Sequence, residues 1–264
     1  MIYLDYNSTT PIDKEVLDEM MPFLKENFGN AASRTHKFGW DANDAIKLSR
    51  ERVSKIINAR PDEIVFNSGA TEGINFVLKG IFENYSEKGN HIVTVKTEHK
   101  AVLDVCEYLE TKGAEITYLD VDQNGLINLE ELKNSIKENT ILVCIMYANN
   151  ETGVIQDIEK IGEITNEKDV LFFCDATQAI GKIPVDVAKD NIDILTLSSH
   201  KMYGPKGVGG VYINRRYPKI KLGSLIHGGG HEKGHRSGTL NVAGIVGFGK
   251  ACEVSLKNLS NYNE

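Results

Sequence analysis

The sequence predicts an α/β fold with a mostly parallel central sheet and helices on both faces. Two observations carry that expectation. From Glu63 onward strand and helix patterns alternate, with strands expected over residues 64–67, 92–96, 116–120, 141–147, 170–175 and 192–197, and such alternation builds right-handed βαβ crossovers. The last of these runs carries Ile192, Ile194, Leu195 and Leu197, an apolar pattern that suits a central strand covered on both sides.

Before the alternation begins, residues 13–25 and 43–57 show helical apolar spacing, with a Gly/Asn/Ser-rich loop expected over 28–40 between them. A helix is expected over 129–136, a short final strand over 208–213 and a helix leaving the sheet over 241–256. The chain is divided into an N-terminal segment, 1–15, a large domain, 16–250, and a final stretch, 251–264, that starts away from it.

At 264 residues and 41% hydrophobic content, the chain can bury a full core. Its 30 basic and 37 acidic residues give a formal charge of -7, with the basic residues scattered. That distribution argues against nucleic acid and anionic membrane surfaces and leaves a small molecule as the expected ligand. Cys106, Cys144, Cys174 and Cys252 lack CxxC spacing, and three lie in apolar runs, so they read as reduced core thiols. The opening Met1-Ile-Tyr-Leu-Asp5 has no basic leader, and no window reaches about 18 apolar residues. A soluble, cytoplasmic protein is expected.

Two motifs invite a metal and are set aside on context. Asp120-Val-Asp-Gln-Asn124-Gly125 through Glu131 matches an EF-hand calcium loop. An EF-hand needs an entering helix, whereas residues 114–119 alternate like a strand. His231-Glu232-Lys-Gly-His235 fits the zinc pattern HExxH. Gly228, Gly229, Gly230, Gly234 and Gly238 surround it, and each glycine costs a helix about 1 kcal/mol, so a loop wrapped around a ligand or another chain is expected instead.

The stretch Ser198-Ser-His200-Lys201-Met-Tyr-Gly204-Pro205-Lys206-Gly207 follows the strand over 192–197. Ligands of open α/β sheets sit beyond the carboxyl ends of the strands. A lysine crowded there beside His200 can be desolvated into a nucleophilic amine suited to Schiff-base chemistry; a solvated loop lysine is the plain alternative. Ser68-Gly69-Ala70-Thr71-Glu72-Gly73 links a strand to a helix in a way that suits a phosphate at the helix N-terminus, or simple capping. Asp175 ends a strongly apolar strand and calls for a cationic partner or a capping role. His99 opens a helix after a strand, where it can lie against an aromatic ring or cap the helix, and Asn149 and Asn150 mark another loop at that edge.

A lysine nucleophile, a phosphate cradle, a carboxylate, a histidine and a side-chain amide together match what pyridoxal phosphate needs. The chain resembles the class V branch of the aminotransferase superfamily, of pyridoxal-phosphate fold type I, and most closely the cysteine desulfurases that feed iron-sulfur cluster assembly. The resemblance runs from Tyr3-Leu-Asp-Tyr-Asn-Ser-Thr-Thr-Pro11, through Ala32-Ser-Arg-Thr-His36 and Lys96-Thr-Glu-His-Lys-Ala-Val102, to His227-Gly-Gly-Gly-His-Glu-Lys-Gly-His-Arg-Ser-Gly-Thr239.

The resemblance implies Lys201 as the Schiff-base lysine and carrier of the Cα proton, and Asp175 as partner of the pyridinium nitrogen. It implies that His99 stacks on the ring, that Gln178 bonds the phenolic oxygen, and that Asn150 lies near that oxygen and the substrate. Ala70, Thr71, Ser198 and His200 are implied at the phosphate. The resemblance further implies that the stretch Arg236-Ser-Gly-Thr239 reaches the phosphate of a partner subunit, and with it a homodimer. The implied activity removes sulfur from L-cysteine to leave L-alanine and an enzyme persulfide, with an iron-sulfur scaffold or other sulfur-acceptor protein as partner.

The resemblance also implies a C-terminal small domain bearing a persulfide cysteine, after a Ser-Gly-Ser-Ala-Cys-like sequence, and a carboxylate-gripping arginine. None of the four cysteines stands in such a loop, so the sequence looks like the cofactor domain with the small domain missing. Two alternatives stay open: another class V enzyme, such as a selenocysteine lyase or an aminotransferase, and a catalytically silent cofactor-binding dimer module.

Overall fold

The computed structural model describes residues 2–215 and 219–259. Helices α1 (Lys14–Lys25) and α2 (Lys37–Lys55) precede the alternating part. That part runs β1 (Ile64–Asn67), α3 (Ala70–Asn84), β2 (His91–Val95), α4 (Lys100–Glu110), β3 (Glu115–Leu119), α5 (Leu129–Ser135), β4 (Thr140–Cys144), α6 (Ile158–Glu167) and β5 (Leu171–Asp175). It closes with β6 (Ile194–Ser198), β7 (Gly209–Ile213) and α7 (Val242–Asn258).

The seven strands form one sheet in the order β1-β7-β6-β5-β4-β2-β3. β3, β2, β4, β5 and β6 pair in parallel, and β7 runs antiparallel to both β6 and β1. β7 reverses because only a short loop separates it from β6, whereas a parallel partner needs a long crossover. β1 therefore points the same way as β6, and its carboxyl end lies on the same edge.

Alternate strand residues feed two cores. Phe172, Cys174, Leu195 and Leu197 pack under α1, α2, α6 and α7, with Val16, Ile46, Ile161 and Phe248 among their neighbours. Leu171, Phe173 and Ile194 face α3 and α4, through residues such as Ile74, Val77, Val102 and Leu109. Both faces are covered, as the continuous apolar runs require.

The first helical pair departs from the sequence reading. α2 begins at Lys37, inside the stretch expected to be a loop, because the His36 side chain accepts from Gly39 N and caps it. Gly39 is required there: a Cβ would lie 2.0 Å from the Ser33 carbonyl oxygen. At the other end, α7 runs unbroken from 242 to 258 across the 250/251 boundary, with Ala251 and Cys252 buried in the same core as Phe248. Among the described residues no helix is long and apolar enough to cross a membrane.

Candidate active site

Because β1, β2, β4, β5 and β6 share a direction, the segments that follow them converge on one edge around a cavity of about 700 Å³. Ala70 and Thr71 reach it after β1, His99 after β2 and Asn150 after β4. Asp175 and Gln178 come from the end of β5, and Ser198, His200 and Lys201 from the end of β6. Thr239 does not line this cavity; it is exposed in the loop before α7.

Lys201 lies in a single 3-10 turn, Ser199–Lys201. Its Nζ donates to the carbonyl oxygens of Asn7 and Ser8 at 2.7 and 2.8 Å. Partial burial lowers its pKa, while Asp175, Asp5 and Glu151 favour the charged form. The N-terminal segment is held over this lysine by Thr10, whose N and Oγ1 donate to the His200 carbonyl and whose Oγ1 accepts from Tyr203 N. His200 Nδ1 lies 3.1 Å from Thr9 Oγ1. Burial, and then the charges of Lys201 and Lys206, push the His200 pKa down, so its imidazole is neutral at neutral pH.

Asp175 is only 5% exposed. Burial raises its pKa, against the pull of the Thr177 side chain and amide, His99 and Lys201. Its Oδ1 accepts from Thr177 N at 2.9 Å. A buried carboxylate of this kind is stabilised by a cation in contact with it. His99 caps α4, with Nδ1 accepting from Ala101 N at 3.1 Å. That bond leaves Nε2 to carry the proton of the neutral ring.

The cradle begins at Gly69, whose φ of +146° favours glycine. No side chain caps α3, so its first amides and the positive end of its dipole are offered to the cavity through Ala70 and Thr71. Ser198, 2% exposed, closes the other side of this turn. Burial alone would raise the Glu72 carboxyl, but Arg236 and Ser68 outweigh it and hold its pKa below the usual range. Arg236 Nε donates to Glu72 Oε1 at 2.8 Å, tying the glycine-rich loop to the cradle.

Sequence reasoning missed several groups at this edge. The Asn7 and Ser8 acceptors are main-chain carbonyls, which carry no residue signature. Thr177 is buried, and its Oγ1 has no hydrogen-bond partner among the described residues. Glu98 is 5% exposed; its Oε1 accepts from Met146 N and its Oε2 has no partner among the described residues. Burial, reinforced by Asp175, raises the Glu98 pKa well above the ordinary value. The only signal for it was its place between a strand and His99.

The two metal-like motifs take other roles. Asp122 Oδ1 accepts from Asn124 N and Leu126 N, forming a turn between β3 and α5. Residues Glu232–Gly234 make a 3-10 turn with Lys233 at φ 58°, outside helical geometry. Glu232 points inward: it forms a two-point ion pair with Arg50 at 2.8 and 2.6 Å and accepts from Phe66 N at 2.7 Å.

Pyridoxal phosphate fits the residues at the cavity. An open helix N-terminus, Ser198 and His200 suit its phosphate, and a buried carboxylate suits a protonated ring nitrogen. Lys201 presents a partly desolvated amine, and the unpartnered Thr177 hydroxyl adds a polar atom in the cavity wall.

The family described as aminotransferase class-V matches residues 2–262. A cysteine desulfurase IscS of Neisseria meningitidis serogroup C / serotype 2a is 54% identical over 258 residues, covering 98% of this chain and 64% of the relative. One from Histophilus somni is 53% identical over 261 residues, with the same shares. Among solved structures, a NifS-like protein superposes with a TM-score of 0.95 at 44% identity, covering 98% of this chain and 71% of that one. SspA in complex with cysteine superposes at 0.92 with 42% identity, covering 96% and 72%. The fold and its lysine-bearing edge define the large domain of a pyridoxal-phosphate protein of fold type I. The chain belongs to the class V aminotransferase family. It spans 64% of the length of the curated relatives it matches.

Proposed function

We propose that the chain is the cofactor-binding part of a cysteine desulfurase, which takes sulfur from L-cysteine and leaves L-alanine and an enzyme persulfide for iron-sulfur cluster assembly. The observation that carries this reading is the partly buried Lys201 amine, set at the end of β6 beside the cradle and the buried Asp175. When bound, pyridoxal phosphate supplies an aldehyde for amine capture and a ring that draws electrons from the substrate Cα.

The chain supplies the rest. With its pKa lowered, Lys201 Nζ is more often the neutral amine, the form that attacks a carbonyl or accepts a Cα proton. Asp175 holds a proton at the ring nitrogen, and α3 with Ser198 and His200 holds the phosphate. With the cofactor bound, His99 would fix the ring plane, Gln178 would donate to the phenolic oxygen, and Asn150 would face the substrate.

Thr239, exposed and outside its own cavity, supports a homodimer in which it reaches the neighbour's phosphate. Four free buried thiols support a reducing cytoplasmic setting. None of those thiols lines the cavity, and burial pushes the pKa of each one up, that of Cys106 to about 12. The sulfur acceptor is therefore not one of them. The same observation favours a second reading, a dimer that holds cofactor without completing sulfur transfer.

The test supplies the protein with pyridoxal phosphate, L-cysteine and an added small thiol, then quantifies alanine. Alanine formed only when the thiol is present supports the desulfurase reading. Cofactor uptake without Cα-proton exchange of cysteine supports the silent module. Greater exchange with selenocysteine or with an amino-group donor points to another class V activity.

A further inference from the structure

We propose that Lys182 is a positioning residue of this site: by donating to Gln178 Oε1 it locks the Gln178 amide with its NH2 group toward the Asn7 strap and the cavity. The inference rests on the cofactor reading above, and it assigns a role to a residue that does not itself line the cavity.

After β5 the chain winds through a helical turn, with Ile180 N donating to Ala176 O and Ile183 N to Ala179 O, both at 3.0 Å. Gln178 and Lys182 flank the end of this turn, where Gly181 takes a φ of +78° and carries the chain out of helical geometry. Lys182 Nζ donates to Gln178 Oε1 at 2.5 Å, and Gln178 Nε2 donates to Asn7 O at 2.9 Å. An ammonium only donates and a carbonyl only accepts, so the chemistry on both sides fixes which end of the amide faces which neighbour.

Asn7 O also accepts from Lys201 Nζ. Lys182, Gln178, the N-terminal strap and Lys201 therefore form one continuous hydrogen-bonded chain. Among the described residues Lys182 pairs with no carboxylate. It is half-buried, and burial followed by the Lys201 charge lowers its pKa. A lysine placed there without an anion needs an acceptor, and Gln178 is the acceptor it has. Gln178, only 9% exposed, carries one further N–H that can serve a ligand oxygen in the cavity. A flipped amide would turn a carbonyl toward that oxygen instead.

Two measurements test this, one of them without cofactor. In protein labelled on glutamine side-chain amides, the Gln178 NH2 signals are identified by their loss in Gln178→Glu. Their solvent exchange is expected to be at least about tenfold faster in Lys182→Met than in the unmodified chain or Lys182→Arg, as one lost hydrogen bond implies. Equal exchange in Lys182→Met overturns the proposal whether or not cofactor binds.

With pyridoxal phosphate bound, the pH midpoint of its visible absorbance is expected to rise by about half a unit or more in Lys182→Met and to stay in place in Lys182→Arg. In a Gln178→Ala background Lys182→Met should add no further shift. A fully additive shift shows that Lys182 acts through its charge and overturns positioning through Gln178. A changed melting temperature with an unmoved midpoint also overturns it. Failure of the unmodified chain to take up pyridoxal phosphate contradicts the cofactor reading alone, because the exchange measurement still decides the role of Lys182.

Discussion

At the scale of single residues, the site is governed by two buried carboxyls with different tasks. Asp175 faces the cavity, and its charge adds to the burial that makes ionising Glu98 costly. Asp175→Asn is expected to bind pyridoxal phosphate but to lose roughly 100-fold in Cα-proton exchange, since an amide cannot hold the ring nitrogen protonated; exchange is followed by mass spectrometry in deuterated solvent. Undiminished exchange would reduce Asp175 to the turn it makes with Thr177. Glu98 has a folded pKa above its unfolded value, so its protonated form favours the fold at low pH, and that contribution is lost as pH rises past about 4.5. Glu98→Gln keeps the acceptor for Met146 N without the ionisable proton. It should raise stability at pH 7.5 and flatten the pH dependence above about 4.5, as read from urea denaturation. Asp175 was legible in the sequence because an apolar strand ends on it. The separate role of Glu98 was not, because its burial depends on how β2 and β4 come together.

At the scale of elements, the sheet and the glycine-rich loop are each held by a buried polar group. His91 opens β2 with its ring between Thr140 Oγ1 at 2.7 Å and Thr117 Oγ1 at 2.9 Å, joining β2 to its neighbours on both sides. Burial, then Lys137, lowers its pKa, and Glu115 opposes them only in part. The folded state thus keeps the imidazole neutral. As pH falls through about 6.5 the unfolded chain takes up a proton that the folded chain resists, and stability falls; above that value the group contributes no slope. The urea midpoint is expected to drop between pH 7.5 and 5.5, and His91→Gln should remove that part of the drop. The loop before α7 is pinned by Glu232, whose side chain is 3% exposed against Arg50. Glu232→Ala leaves the Arg50 cation without its carboxylate and Phe66 N without its acceptor, and should cost about 3–5 kcal/mol in a denaturant titration. The sequence could show that this HExxH stretch was too rich in glycine for a zinc helix. It could not show that its glutamate turns inward, because Arg50 is 182 residues away.

At the scale of the whole molecule, the alternating pattern made the parallel sheet legible, and the ends of its apolar runs placed Lys201 and Asp175 on one edge. Strand order was not legible, since β7 inserts between β1 and β6 through contacts distant in sequence. The strap formed by Asn7 and Ser8 was hidden for a related reason: its contacts to Lys201 use backbone oxygens 194 and 193 residues away. The proposed homodimer, with Thr239 at the neighbour's phosphate, predicts that dilution below the dimer's dissociation constant releases cofactor, and Thr239→Ala should weaken retention without altering the fold of one subunit; gel filtration with absorbance detection reads both. The central claim is that Lys201 is the cofactor's covalent anchor. It is tested most directly by adding pyridoxal phosphate, reducing with borohydride and mapping the labelled peptide by mass spectrometry. The label is predicted on Lys201 and is expected to vanish in Lys201→Ala, whereas a label on Lys206, Lys182 or Lys100, or undiminished labelling of Lys201→Ala, would contradict the account.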